Sequence, residues 1–506
     1  MMKLLIARGN EDINLLSDKV NQHGLICGAT GTGKTVTLKV LCEYFSDLGV
    51  PTILSDVKGD LANLCKIGTM NDKLNSRISE LNLQNFEFKN YPITLWDVYG
   101  EKGLPLRITI SEMGPILLSQ ILELNDTQTG ILNIAFRVAD EQGLLLIDIK
   151  DLRSMLNYLA ENKNKYSSLY GNITEQSISA IQRKILMLED RGGDMFFAEP
   201  ALDINDIFKK DTDGRGYINI LSSKKLINNP TLYSMFLLWL LSELFETLPE
   251  IGNPEIPKLV FFFDEAHLLF NNAPKLIQDK IEQVIRLIRS KGVGIFFITQ
   301  NPLDIPSTVS SQLGNRIVHQ LRAFSPRELK AIKEISETFR PNPSMNISEE
   351  ITKLKTGEAL ISFLDESGAP SITNKALILP PHSSFDALTD DEYQYIISNS
   401  QLFYKYRELV DRESAYEILE RKLTEQKQEI INTKQKIEEL KLQREEEKLK
   451  AQREKELKKQ QEYEERQRRK TQSAVTKGVD SFLNTMTRSI GREIARGLFG
   501  SITKKR

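Results

Sequence analysis

Apolar and polar positions fall into two regimes along this chain. Up to Pro381, short β-branched or aromatic runs alternate with longer stretches whose apolar residues recur every three or four positions. That alternation predicts an α/β fold, a parallel sheet covered by helices. Strands are predicted at Leu25–Cys27, Thr52–Ser55, Tyr217–Leu221, Leu259–Phe263, Gly294–Thr299 and Ile317–Leu321. The unbroken apolar run Leu259–Phe263 marks a central strand covered on both faces. About 160 residues separate the second strand from the third, far more than a simple crossover needs. That gap predicts helices at Met113–Leu124, Asp126–Asp140, Lys150–Glu161 and Glu175–Glu189, hence a helical subdomain inserted into the sheet domain. Further on, Glu358–Phe363 and Asn374–Leu379, separated by Gly368 and Pro370, predict a closing hairpin.

The second regime begins at His382, after which neither glycine nor proline occurs until Gly478. Arg421 to Lys470 is dominated by Lys, Arg, Glu and Gln, all good helix formers. Leu423, Ile430 and Ile437 recur every seven residues and Leu440 follows, after which charge covers every face. A long charged helix is predicted, either solvated and laced with i,i+4 pairs or coiled over its first half. The last stretch, 476–506, reads as a basic amphipathic tail suited to a partner, an anionic surface or its own subunit. The expected limits are 1–100 and 216–385 for the two parts of the sheet domain and 101–215 for the insertion. The charged helix takes 386–475 and the tail 476–506.

Composition narrows the function classes. With 506 residues, 67 Lys+Arg against 69 Asp+Glu and a net charge of −2, the chain is neither a uniformly basic nucleic-acid coat nor an acidic disordered polymer. Cys27, Cys42 and Cys65 leave one thiol over and build no disulfide framework, which favours a reducing compartment. Four scattered histidines without paired Cys/His spacing argue against structural zinc. The N-terminus lacks the apolar core of a signal peptide, and no apolar run reaches the length of a membrane span. The expectation is a soluble, cytoplasmic protein.

Three motifs carry chemistry. Gly28-Ala29-Thr30-Gly31-Thr32-Gly33-Lys34-Thr35 follows an apolar strand and opens a helix, the context in which this pattern cradles a triphosphate. Its glycines let the backbone wrap phosphate, Lys34 reaches the β- and γ-phosphates, and the Thr35 hydroxyl ligates Mg²⁺. A partner strand must then end in a carboxylate. Leu259–Phe263 runs into Asp264, placed to hold Mg²⁺, and Glu265, placed as general base for an attacking water. The third piece is Gln300, ending the strand Gly294–Thr299, where it senses the γ-phosphate or simply turns the chain. One group is missing from such a set, a cation for charge developing on the γ-phosphate. Arg286, Arg289, Arg316 and Arg322 are the candidates, supplied from a neighbouring subunit. Asp56 and Asp60 in DVKGD either approach the nucleotide or form a capped turn with Asp60 as N-cap.

Several blocks closely resemble the YjgR-like proteins, HerA-like ATPases of the HerA/FtsK superfamily. They are HGLICGATGTGKTVTL, Asp56–Leu61, Ile108–Pro115, Leu124–Gln128, FFFDEAHLLF and LGNRIVHQLRAFSPRE, together spanning about residues 1–400, and the terminal REIARGLFGSI resembles that family's tail. The resemblance implies a RecA-like sheet with an additional strand and a catalytic glutamate, Mg²⁺-dependent ATP hydrolysis and a hexameric ring of identical subunits. By position it makes Lys34 and Thr35 phosphate and metal residues, Asp264 the Mg²⁺ partner, Glu265 the base, Gln300 the sensor and Arg289 the trans arginine. Archaeal relatives begin with a small barrel domain, whereas here only some twenty residues precede the phosphate loop, so the resemblance carries no expectation of a nuclease partnership. The implied function is a motor acting on DNA. Basic pairs Arg183-Lys184, Lys209-Lys210 and Lys224-Lys225 are its candidate phosphate contacts. The alternative is an ATP-driven switch or assembly protein that engages a protein partner through its C-terminal helix without translocating DNA. A secretion ATPase is a more distant third.

Overall fold

The structure, a computed structural model, describes residues 2–271 and 275–469. The expected tail at 476–506 lies outside the described residues. Contacts divide the chain between Lys422 and Leu423 into two compact units.

The first unit is built on one twelve-stranded sheet. Its strands are β1 (Lys3–Arg8), β2 (Asp12–Leu16), β3 (Gly24–Cys27), β4 (Thr52–Asp56), β5 (Ile93–Asp97) and β6 (Leu104–Pro105). They continue with β7 (Ile218–Ser222), β8 (Leu259–Phe263), β9 (Val293–Thr299), β10 (Asn315–His319), β11 (Glu358–Ser362) and β12 (Asn374–Ile378). Across the sheet they run β2-β1-β12-β11-β10-β3-β9-β8-β4-β7-β5-β6. From β10 to β6 every pairing is parallel, and from β10 to β2 every pairing is antiparallel. The central strands β3, β8 and β9 are buried at every position, as a parallel sheet covered on both faces requires. β9 lies between the phosphate-loop strand β3 and the Asp-Glu strand β8, which is the additional-strand arrangement of a RecA-like P-loop domain.

The predicted strands are present, and four more join them, β1, β2, β5 and β6. β1 and β2 form an N-terminal hairpin that pairs through β12 with the closing hairpin β11–β12. β5, in the long gap, extends the sheet beyond β7. β10 begins two residues before the predicted Ile317–Leu321, because Asn315 is accommodated inside the sheet. Its amide donates to the Lys19 and His23 carbonyls at 3.0 Å each and its oxygen accepts the Leu364 N–H.

Between β6 and β7 the chain is mainly helical, with Ile110–Ile121, Asp126–Glu141, Ile149–Glu161 and Glu175–Leu188 its longest helices. The first starts three residues before the predicted Met113 because Thr109 and Glu112 close a capping box, and it is interrupted at Gly114, whose φ is 69°. Residues beyond 385 also return to this unit. Arg107 donates to the Tyr406 carbonyl at 2.9 Å, Tyr406 donates to Asp206 at 2.6 Å, and Ser414 to Asp151 at 2.5 Å. The last helix begins at Ala415, buried like Leu419, and runs to Arg469. Within the second unit its residues 424–461 are all exposed. Among the described residues no helix is long and apolar enough to cross a membrane.

Candidate active site

The phosphate loop leaves β3 at the C-terminal edge of the parallel strands and is strapped on three sides. Ala29 N–H donates to the Gln320 carbonyl at 2.8 Å, Gly28 N–H to Thr299 at 3.3 Å, and the Thr32 carbonyl accepts Gly357 N–H at 2.9 Å. Gly33, at φ 124°, is the N-cap of helix Lys34–Asp47, a conformation that side chains disfavour. Gly28 has no room for one, since a Cβ there would lie 2.6 Å from His319 Cβ. Lys34 curls back over the loop, with Nζ 2.5 Å from the Gly28 carbonyl and 3.0 Å from Ala29. Burial holds its pKa below the ordinary lysine value, with the nearby Lys58 charge a smaller cause. Thr35 follows at the first turn of the helix, half-buried.

Asp264 and Glu265 leave β8 at the same edge, 8% and 5% exposed. The Asp264 carboxylate accepts the Glu265 N–H at 2.9 Å. Burial, then the charge of Glu265, pushes the Asp264 pKa up to about 7. The nearby Lys58 charge offsets only part of this rise, and a divalent metal would offset the rest. Glu265 has φ 49°, in the left-handed region where a side-chain-bearing residue is strained. Four neighbours surround its side chain or hold those that do. Gln300 Nε2 lies 3.0 and 3.3 Å from its two oxygens, Lys58 Nζ is 3.2 Å from Oε1, and His267 Nδ1 is 3.4 Å from Oε2. The Thr30 hydroxyl donates to Gln300 Oε1 at 3.0 Å, tying the loop to this cluster.

Lys34, Asp264, Glu265 and Gln300 are thus gathered at one edge, and Arg289 is not among them. It follows helix Lys275–Ile288 and precedes β9, at the strand's opposite end. The seven residues of β9 place it about 20 Å from its own phosphate loop. There Arg286 and Arg289, both exposed, line a 680 Å³ cleft with His23 and Gln312. Arg316 is mostly buried and donates to the Leu313 and Ser310 carbonyls at 3.1 Å each. Arg322 is exposed and shares a pocket with Thr30 and Gln300, on its own loop's side.

In DVKGD the capping role falls to Asp56. Its carboxylate accepts Gly59 N–H at 2.6 Å and Leu61 N–H at 3.0 Å. Asp60 is exposed, and the short helix that follows takes Leu61 as N-cap, so the expected Asp60 cap is not made. The acids drew attention to this motif, whereas the residue that reaches the site is Lys58 between them. Of the basic pairs, Lys184, Lys209 and Lys225 are engaged by Glu123, Asp206 and Glu101.

The profile of the helicase HerA-like C-terminal family matches residues 2–506. The chain belongs to that family. It is therefore a HerA-like P-loop ATPase of the HerA/FtsK superfamily. Among its relatives, the DNA double-strand break repair helicase HerA of Sulfolobus acidocaldarius is 24% identical over 366 residues, covering 70% of this chain and 64% of that protein. A probable helicase of Methanocaldococcus jannaschii is 23% identical, covering 71% and 63%. The chain thus spans less than two thirds of the length of these curated relatives. Among solved structures, the bacterial conjugative coupling protein TrwB in complex with sulphate aligns at TM-score 0.48 and 14% identity, covering 76% of this chain and 92% of that one. VirB4 of Thermoanaerobacter pseudethanolicus aligns at TM-score 0.44 and 16% identity, covering 75% and 96%.

Proposed function

We propose that this HerA-like chain hydrolyses ATP with Mg²⁺ as a ring motor on DNA. The observation that carries the reading is the split between the two sheet edges. One edge gathers the loop, both acids and Gln300, while the exposed Arg286 and Arg289 stand at the other, out of reach of the same subunit's loop. A subunit so divided is completed by a second copy, whose arginine meets the terminal phosphate. Closed rotational symmetry repeats that contact, and a hexamer is the proposed assembly.

Within a site, Lys34 exchanges the loop carbonyls for the β- and γ-phosphates, whose charge matches it better. The γ-phosphate lies toward Gln300 and Glu265, so the base runs off at the helix end of the loop. A 330 Å³ pocket stands there, formed by Gly33, Val36, Leu74, Leu379 and Pro380 with the Arg77 guanidinium. Thr35 and Asp264 are the residues that would hold Mg²⁺, which when bound neutralises phosphate charge. Glu265 takes the proton of the attacking water, and Gln300 fixes the Glu265 carboxylate relative to Thr30. Glu265→Gln is expected to abolish turnover while ATP binding persists, and wild-type turnover in that variant refutes the assignment.

DNA as substrate is supported by the relatives named as DNA repair helicases. ATPase activity is expected to rise with duplex DNA and to fall steeply with salt, as phosphate contacts require. Absence of stimulation at low salt refutes the DNA reading. That result favours the second reading, in which the ring organises a protein partner. Its support is the last helix, where Ile430, Ile431, Ile437, Leu440 and Leu442 are 40–57% exposed among mostly charged residues.

A further inference from the structure

The carboxylate of Glu265 is held by three side chains, those of Gln300, Lys58 and His267. Gln300 and His267 approach from the ends of ordered elements, β9 and helix His267–Asn271. The third partner differs. Lys58 extends from the loop after β4, its side chain 41% exposed, and also lines a 500 Å³ cleft beside Gly59, Lys224 and Tyr393. Its backbone is pinned, because the Asp56 carboxylate accepts the N–H groups of Gly59 and Leu61 around a glycine at φ 78°. Its ammonium is therefore delivered from a fixed root by a side chain that remains free to swing. Its partner Glu265 is tied through Gln300 to Thr30 of the phosphate loop, so the ammonium belongs to the same chain of contacts as the loop that takes the terminal phosphates.

We propose that Lys58 is a positioning residue that latches Glu265 while the site is empty and transfers its ammonium to the γ-phosphate when ATP enters. This rests on the reading of Glu265 as the base. With the latch closed, Glu265 Oε1 faces a cation, and Asp264 and Glu265 are set against Lys34 and Lys58. A terminal phosphate brings more negative charge than a carboxylate and outcompetes it for the ammonium. Release of Glu265 then coincides with arrival of the phosphate to be cleaved. ADP, which lacks that phosphate, leaves the latch closed.

The test is a cycle of four full-length proteins, wild type, Lys58→Ala, Glu265→Gln and the double variant. Each is titrated with ADP and with β,γ-methylene ATP, both with magnesium, by calorimetry. Lys58→Ala is expected to weaken the triphosphate about tenfold and ADP less than twofold. Glu265→Gln removes the competing carboxylate and is expected to tighten the triphosphate about fivefold, a coupling of ordinary size for neighbouring charges. That gain is expected to vanish when Lys58 is already alanine. Lys58→Arg should restore most triphosphate affinity, and among the proteins that turn over, wild type, Lys58→Ala and Lys58→Arg, KM for ATP should follow the same order. Equal losses for ADP and triphosphate in Lys58→Ala would show a merely structural loop residue and overturn the proposal. So would an unchanged triphosphate affinity in Glu265→Gln. The binding cycle is independent of turnover, so a Glu265→Gln protein that still hydrolyses ATP overturns the base assignment without touching this result.

Discussion

Gln300, at the end of β9, donates its amide to both carboxylate oxygens of Glu265, at 3.0 and 3.3 Å, across the seam between two parallel strands. Its own oxygen accepts the Thr30 hydroxyl, so one side chain registers the phosphate loop against the acidic strand end. Removing it frees Glu265 to rotate without touching Lys34. Gln300→Ala is expected to lower kcat about a hundredfold, the usual effect of deleting one preorganised donor. KM for ATP should change only a few-fold in the same steady-state assay. An equal fall in ATP affinity and no fall in kcat would place Gln300 in binding instead.

The phosphate loop makes unequal demands on its glycines. A Cβ on Gly28 would meet His319 Cβ at 2.6 Å and Thr32 Oγ1 at 2.8 Å, both inside the fold. At Gly31 the φ is 79° but no atom lies within 4 Å of the added carbon. Gly28→Ala is therefore expected to displace the loop, costing about 1–3 kcal/mol of stability and most nucleotide affinity. Gly31→Ala carries only the conformational penalty, about 1–2 kcal/mol. Thermal unfolding with and without ATP ranks the two, and a more damaging Gly31→Ala would contradict the packing argument.

These two sites show what was legible from the chain and what was not. β3, β8 and β9 announce themselves because every position is apolar or small, so the three motifs at their ends could be read directly. Strand order could not. Nothing in the chain says that β9 inserts between β3 and β8, and the Gln300–Glu265 bond depends on it. β5, Ile93–Asp97, escaped notice because Thr94 and Asp97 interrupt a short run whose partner, β7, lies beyond the whole helical insertion. β10 was displaced because a buried asparagine satisfied by backbone groups looks polar in sequence and is internal in space. Lys58 is hidden in the sequence for a similar reason. A lysine between two aspartates reads as surface until the fold brings Glu265 against it.

His23 supplies a pH-dependent element at the opposite sheet edge. It is buried, its Nδ1 accepts the Ile295 N–H at 3.1 Å, and its Nε2 therefore carries the proton donated to the Ile285 carbonyl at 3.0 Å. Burial holds its pKa down at about 4. As pH falls below about 6.5 the unfolded chain takes up this proton before the folded one does, so stability is whole above that value and is lost toward pH 4. The loss from this group is about 3 kcal/mol. Asp56 and Asp264, with raised values, oppose it in the same range. Comparison with His23→Asn cancels those terms, since both proteins keep them. Asparagine is chosen because its amide keeps a polar group at this position and does not titrate in this range. The stability advantage of wild type over the variant is expected to shrink by that amount between pH 7 and pH 4 in urea unfolding. A constant difference would mean that His23 is not held neutral.

The last prediction concerns which arginine completes the site. Arg289 stands at the far end of β9 from its own loop, so an arginine acting there acts on a neighbour. Arg289→Ala should then leave a subunit with an intact nucleotide site and no cation to lend, while Lys34→Ala leaves one with a cation and no working site. Each variant alone is expected to be inactive, since every site in its ring lacks one part. Co-expressed in equal amounts, they assemble rings in which some Arg289→Ala sites face a Lys34→Ala neighbour. Random placement makes such pairs about a quarter of all interfaces, so about a quarter of wild-type activity is expected. Arg286 lies one turn earlier in the same cleft and is the control. Recovery with Arg286→Ala and none with Arg289→Ala moves the role to Arg286. No recovery with either, in rings verified by mass to contain both chains, removes this cleft from catalysis and leaves Arg322, on the loop's own side, to act within one subunit.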